Sequence, residues 1–252
     1  MNHTDLYRAL FDRDASFDGK IFAAVKTTGV FCRPSCSCKK PFSENVIFYD
    51  SIETCISLGY RECKICNPLA SLFADDETAN YAMWIEKETS PAKTFREHPI
   101  ESVDMLERLK KQFYKQAKLS LGKYIRLKRV NYCLRENEAN DTKLFAHYIH
   151  SPIGIMIALH TEKGLCLLEF ADRKMLEGEL KEIQKHTHGN FFFATTMQSQ
   201  RLEQQLKEYF SGHRKIFDVP LDFIGTDFQK KVWKLLLEIP YGESVIDSAI
   251  KH

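Results

Sequence analysis

Two close pairs of cysteines are the residues of this 252-residue chain best suited to chemistry. Cys32-Arg-Pro-Ser-Cys36 is followed, after 26 intervening residues, by Cys63-Lys-Ile-Cys66. In a compartment that keeps thiols reduced, such pairs are the usual sign of a tetrahedral zinc site. Zinc suits four thiolates because it has no ligand-field preference and is soft enough for sulfur. The site also supplies much of the folding free energy of a small domain. Pro34 helps turn the first pair so that both sulfurs face one ion. Cys38 could compete with Cys36 for the fourth position, although the second pair favours a matching knuckle from Cys32 and Cys36. Cys55, in the helix-like run SIETCISLGY, reads as a core residue. The expected centre is one Zn2+ on Cys32, Cys36, Cys63 and Cys66, with no small-molecule cofactor.

The elements that must position this centre are short. Residues 1–70 read as small mixed elements and 75–135 as consecutive helices. A weak boundary falls near Pro68–Asp76, and the polar, apolar-poor run Glu136–Thr142 reads as a linker. From about Phe145 the pattern becomes a hairpin, Ile153–Leu159 and Leu165–Phe170 joined by Thr161-Glu162-Lys163-Gly164. Helical spacing follows at Leu176–His186 and Leu202–Phe210. The net charge of +2 is unevenly spread. Residues 93–135 hold 12 Lys and Arg against 4 Asp and Glu, whereas the flanks are mildly acidic, which points to a polyanion partner in the middle of the chain. The N-terminus is polar, so no secretory signal is expected, and no apolar run is long enough to span a bilayer. Cytoplasmic, nucleoid-associated residence is the corresponding expectation.

The run from Asp18 to Pro68 contains the blocks F-C-R-P-S-C, E-N-V-x-F-Y and C-x2-C-x-P. With these it closely resembles the zinc domain of the Ada DNA-methylation response family over about 50 residues. The resemblance implies that Cys32 attacks the methyl group of a methylphosphotriester in the DNA backbone, with Cys36, Cys63 and Cys66 completing the zinc site. Zinc coordination ionises a thiol that is otherwise mostly protonated near neutral pH. The leaving group is a stable phosphodiester, so no general base is needed. The thioether product implies a single turnover. Methylating one of four thiolates takes the site from a formal −2 to −1. One unit of repulsion removed about 5 Å from a phosphate is worth on the order of 3 kcal/mol at an effective dielectric near 20, before screening, so methylation should tighten DNA binding. Arg33, Lys39, Lys40, Arg61 and Lys64 are candidate holders of the backbone beside Cys32.

In the basic middle, Asp104 with Glu107 fits a capping box, and Leu106, Leu109 and Phe113 share a helix face. A second helix over Leu121–Arg135 carries Lys123, Arg126, Lys128, Arg129 and Arg135. This spacing resembles one helix-turn-helix of the AraC type. Glu77–Lys87 and Thr94–His98 would precede it, and 104–113 would enter the major groove with Arg108, Lys110 and Lys111 facing DNA. The second helix-turn-helix of full-length Ada regulators is not matched.

From Phe145 the chain resembles the O6-alkylguanine-DNA alkyltransferases. SPIGIMIALHTEKGLCLLEF looks like the first hairpin of their ribonuclease-H-like domain, and GTDFQKKVWKLLLEIPYGE like the opening of their catalytic domain. No Pro-Cys dipeptide occurs for the family's acceptor block, and the tail Ser244–His252 does not continue the pattern. Loss of O6-alkylguanine repair is therefore expected, with Phe228, Val232, Trp233 and Leu236 lacking their usual partners.

The sequence thus predicts an α+β multidomain protein in four parts. These are an Ada-type zinc domain (1–70), a helix-turn-helix segment (75–135), a ribonuclease-like α/β domain (143–224) and a truncated start of a helical catalytic domain (225–252). The expected function is single-turnover methylphosphotriester repair coupled to transcription regulation, with double-stranded DNA as partner and RNA polymerase as a second one. The competing reading is a zinc-dependent DNA-binding regulator without methyl transfer.

Overall fold

The structure is a computed structural model and describes residues 1–69, 103–135 and 142–244. The expected helices at Glu77–Lys87 and Thr94–His98, most of the linker and nearly all of the tail lie outside these residues. The chain divides into two compact units, Met1–Tyr132 and Cys133–His252.

The first unit opens with helix α1 (His3–Asp12), capped by the Asn2 side chain and closed by Arg13 in the left-handed region. Four short strands follow in the order β3-β1-β2-β4: β1 (Phe22–Val25), β2 (Val30–Cys32), β3 (Val46–Tyr49) and β4 (Arg61–Glu62). β1 pairs antiparallel with β2 and β3, while β4 runs parallel to β2. Helix α2 (Ile52–Ser57), capped by Ser51, spans the β3–β4 connection and buries Ile52, Cys55 and Ile56, so Cys55 is the core residue expected. Leu10 of α1 packs on Ala23 and Val46, which covers one face of the sheet. That core is small, and a unit this short gains only limited hydrophobic stabilisation.

Helices α3 (Val103–Ala117) and α4 (Leu121–Cys133) complete the unit. One expected boundary is corrected here, at the end of α4. Helix α3 is described from Val103, so its cap lies at the edge of the described residues, and the Glu107 carboxylate pairs with Lys110 at 2.8 Å. Helix α4 stops at Cys133, short of Arg135. Phe113 is buried against Tyr124, ring centroids 5.2 Å apart, and this joins the two helices.

The second unit carries a four-stranded sheet in the order β7-β6-β5-β8: β5 (Thr142–Ser151), β6 (Gly154–His160), β7 (Leu165–Phe170) and β8 (Gly189–Phe193). The expected hairpin is β6–β7, antiparallel, but it is not the first of its sheet. β5 begins within the run read as a linker, pairs antiparallel with β6 and takes β8 alongside in parallel. Helix α5 (Leu176–Thr187) buries Leu176, Leu180 and Ile183. Helix α6 (Met197–Phe210) starts five residues earlier than its apolar spacing suggested, at a Thr196–Ser199 capping box, and sets Leu202 and Leu206 against Ile149, Ala158 and Val219.

Gly164 ends the β6–β7 turn where another segment passes very close. Leu165 N–H donates to the Pro220 carbonyl at 2.8 Å, and a Cβ on Gly164 would lie 2.5 Å from that oxygen. Gly164→Ala must push backbone apart, at the cost of about 1–3 kcal/mol typical of overpacking. A lowered melting midpoint for the second unit is expected; an unchanged one would show that the 219–222 segment is not held there.

Helix α7 (Asp227–Leu237) has a Thr226–Gln229 capping box and no buried residue. Phe228 and Leu236 are exposed, whereas Trp233 lies against Phe223 in a tilted ring contact, centroids 5.8 Å apart. No helix among the described residues is long and apolar enough to cross a membrane.

Candidate metal centre and its surroundings

Cys32 ends β2, opposite Ala23 on β1. The chain then turns at Arg33–Cys36, with Cys36 N–H donating to the Arg33 carbonyl at 3.1 Å, so Pro34 sits within the turn that returns the second sulfur. Asp18 fastens that turn: its carboxylate accepts from the Ser35 hydroxyl at 2.5 Å and the Ser35 N–H at 3.2 Å. β4 lies parallel to β2, and Cys63 N–H donates to the Phe31 carbonyl at 3.0 Å, which brings the second pair beside the first.

The four Sγ atoms of Cys32, Cys36, Cys63 and Cys66 lie within 4.8 Å of one another. Cys32, Cys36 and Cys63 are buried and Cys66 is half-buried. The Cys36–Cys63 separation is 3.8 Å, the edge expected of a tetrahedron with zinc–sulfur bonds of about 2.3 Å. The hydrogen bond from Cys32 draws the Cys66 thiol down to about 5, while that bond and burial push Cys32 far up, and burial pushes Cys36 up to about 12. Four neighbouring sulfurs cannot all ionise without a cation between them. The donor set and spacing fit one zinc ion. Cys36, not Cys38, is the fourth member; Cys38 stands outside the tetrad, its Sγ 3.9 Å from that of Cys32.

The candidate DNA contacts divide into two groups. Arg33 donates to the Cys66 carbonyl at 2.9 Å and lies 3.9 Å from Asp18, and Lys40 donates to the Cys36 carbonyl at 3.0 Å, so both brace the knuckles. Lys39, Arg61 and Lys64 are exposed around the cluster, and Arg108, Lys110 and Lys111 are exposed on α3.

Helix α4 turns part of its charge inward. Lys123 pairs with Glu53 at 2.6 Å, and Glu62 accepts from the Tyr124 hydroxyl at 2.9 Å and pairs with Lys128. Buried Asn131 donates to the Ile56 carbonyl at 2.7 Å. Neither Asp18 nor Glu62 had a role in the sequence reading. Their only signal is position, Asp18 opening the matched run and Glu62 adjoining Cys63.

A compact four-sulfur metal domain on a small sheet is followed in the same chain by a separate mixed α/β unit. Residues 5–68 match the metal-binding domain of Ada, and residues 144–223 match the ribonuclease-like domain of 6-O-methylguanine DNA methyltransferase. Over most of its length the chain is similar to Ada proteins. It is 26% identical to the regulatory protein ada of Salmonella typhimurium over 92% of this chain and 76% of that one. It is 24% identical to the bifunctional transcriptional activator/DNA repair enzyme Ada of Escherichia coli over 95% and 78%. Identity to the methylated-DNA–protein-cysteine methyltransferase of Methanosarcina barkeri is 40%, over 40% of this chain and 58% of the relative.

Proposed function

We propose that the first unit takes a methyl group from a methylphosphotriester of double-stranded DNA onto Cys32, once per chain, and that the chain uses this event to regulate transcription. The observation that carries the reading is the four-sulfur cluster itself, closed around a common point with Cys32 among its members. Zinc, when bound, would hold Cys32 as a thiolate. The chain's own groups then orient the sulfur: β2 presents it, and the Asp18-braced turn fixes the knuckle behind it. A bond forms from Cys32 Sγ to the methyl carbon as the carbon–oxygen bond breaks. The electron pair stays on the departing phosphodiester oxygen, and no proton moves. Similarity to a regulatory protein of Salmonella typhimurium and to a bifunctional transcriptional activator/DNA repair enzyme of Escherichia coli supports the pairing of repair with regulation; RNA polymerase is the further partner proposed. Incubation with DNA carrying one methylphosphotriester, followed by intact-mass and peptide analysis, is expected to place one methyl group on Cys32. Unchanged mass with both phosphorus stereoisomers would overturn the proposal.

One observation favours a second reading. Cys32 is only 4% exposed, and Cys66 is the sulfur nearer the surface. If the cluster is purely structural, the chain is a zinc-dependent DNA-binding regulator, and the same mass measurement separates the two.

The sequenced polypeptide is also proposed not to repair O6-methylguanine. That reaction needs a reactive cysteine beside a pocket for a flipped base. Outside the cluster and Cys38, the cysteines are Cys55 and Cys133, both buried, and Cys166, whose thiol burial pushes up to about 12.

The DNA-binding part of the proposal rests on α3, with Arg108, Lys110 and Lys111 facing outward. Binding to duplex DNA is expected to weaken steeply with salt, as cations release condensed counterions. Lys110→Ala with Lys111→Ala should flatten the slope of log affinity against log salt by about 2, near 0.9 for each phosphate no longer neutralised. Identical slopes for parent and variant would take α3 off the DNA.

A further inference from the structure

The last residue of β6 is out of keeping with the core around it. His160 is fully buried, and neither of its ring nitrogens has a hydrogen-bond partner. Side chains alternate along a strand, so His160 shares a face of the sheet with Ala158, two positions before it, and with Phe145, opposite it on β5. Ala158 packs with Leu202 and Leu206 of α6, and His147, opposite Ala158, meets Glu203 of the same helix at 3.3 Å. His160 therefore stands on the face that α6 covers. The titratable groups around it are committed elsewhere. On β5, His147 is held by Glu203 and, through its other nitrogen, by the Thr195 hydroxyl at 3.5 Å. On α6, Glu203 is shared with Lys207 at 2.9 Å. On β7, the Cys166 thiol donates to the Leu159 carbonyl at 3.3 Å. In the segment that bridges to β7, Asp222 accepts from the Thr161 hydroxyl at 2.6 Å.

We propose that His160 is an acid-operated latch on the second unit: neutral, it completes the core beneath α6, and protonated, it drives α6 and the sheet apart. A neutral imidazole in an apolar site forgoes only its hydrogen bonds, whereas an imidazolium brings a charge that nothing there offsets. Burial, and then the nearby His147, push its pKa down to about 4. The unfolded chain exposes the ring to water and binds the proton near the ordinary value of 6.5. Between these values the unfolded state holds more protons. The stability due to a neutral His160 is therefore complete above pH 6.5 and is lost as pH falls toward 4. The latch needs neither metal nor DNA and is independent of the chemistry proposed for Cys32.

The test compares the full-length parent with His160→Leu and His160→Gln. Amide and imidazole signals of the second unit are followed through urea unfolding at about pH 7 and about pH 5, where the two protonation states of the unfolded ring dominate in turn. The folding equilibrium constant of the parent unit should fall about 20-fold more between these conditions than that of either variant, because every other titrating group is common to the three. Protection of α6 amides from hydrogen exchange should drop by a similar factor in the parent, beyond any drop in the variants. The native ring signal of His160 should hold its neutral position at the more acid condition. Equal pH dependence in parent and variants overturns the latch, as does a ring that titrates near its ordinary value in the folded chain. Unchanged protection of α6 overturns it as well. If neither variant folds, the ring signal and the α6 protection of the parent, read on one sample, still decide.

Discussion

Replacing Cys63 and Cys66 together by alanine is expected to remove zinc from the chain and unfold the sheet of its first unit. The hydrophobic contribution there is small, with Leu10, Ala23 and Val46 forming one cluster on strands of two to four residues. The sulfurs hold the other end of the sheet: Cys32 terminates β2, and Cys63 follows β4 directly. Structural zinc contributes about 10–16 kcal/mol in small metal-dependent domains, more than the roughly 5–15 kcal/mol net stability of a typical domain. Losing two ligands therefore costs this sheet its fold. Helix α4 should follow, since it depends on Glu53, Glu62 and the Ile56 carbonyl. The second unit has its own core of Ile149, Ala158, Leu202 and Leu206 and is expected to keep its transition. Metal analysis with amide chemical shifts for both units checks this, and stoichiometric zinc in the double variant would refute the assignment.

Cys32→Ser is expected to reduce methyl uptake from a methylphosphotriester to background, while Cys133→Ser and Cys166→Ser leave it unchanged. A serine hydroxyl is a far weaker nucleophile at neutral pH, and its oxygen is a poorer partner for a sulfur-lined site. Cys133 is buried on α4, and Cys166 donates to the Leu159 carbonyl at 3.3 Å within its sheet, so neither is presented to a backbone phosphate. Labelled methyl would be followed from DNA carrying one lesion at a time. Uptake from O6-methylguanine would refute the proposed absence of base repair. A methyl mapped to Cys66 or Cys38 in the parent would transfer the acceptor role to that sulfur.

The metal centre was legible because its information is local. Each knuckle is a pair within five residues, and zinc chemistry restricts what such pairs do. The β6–β7 hairpin was legible for the same reason, from two β-rich runs and a turn ending in Gly164. What escaped was long-range. β5 begins inside a polar run, and its first residues, Thr142 to Ala146, are paired with β8 from 47 positions away, while its later ones meet β6 across a short turn. No local period announces a parallel partner at that distance. The charge count failed in a similar way. Lys123 and Lys128 contribute to the basic segment in sequence, but their partners Glu53 and Glu62 lie more than sixty residues upstream, so a linear sum overstates what α4 can offer to DNA. The proposed boundaries at residues 70 and 75 rest on composition alone.

The ties at Glu62 bear on where this protein can be cut. A carboxylate adjoining a metal-ligating cysteine is also the anchor for Tyr124 and Lys128 on a helix more than sixty residues downstream. A fragment ended after the second knuckle would keep all four sulfurs of the cluster, yet leave Glu62 and the Ile56 carbonyl without the α4 groups that bond to them. Shuffling modules among relatives, or excising the metal domain for expression by itself, meets the same obstacle. A transplant that runs past the end of α4 at Cys133 carries the helix along with the sulfurs.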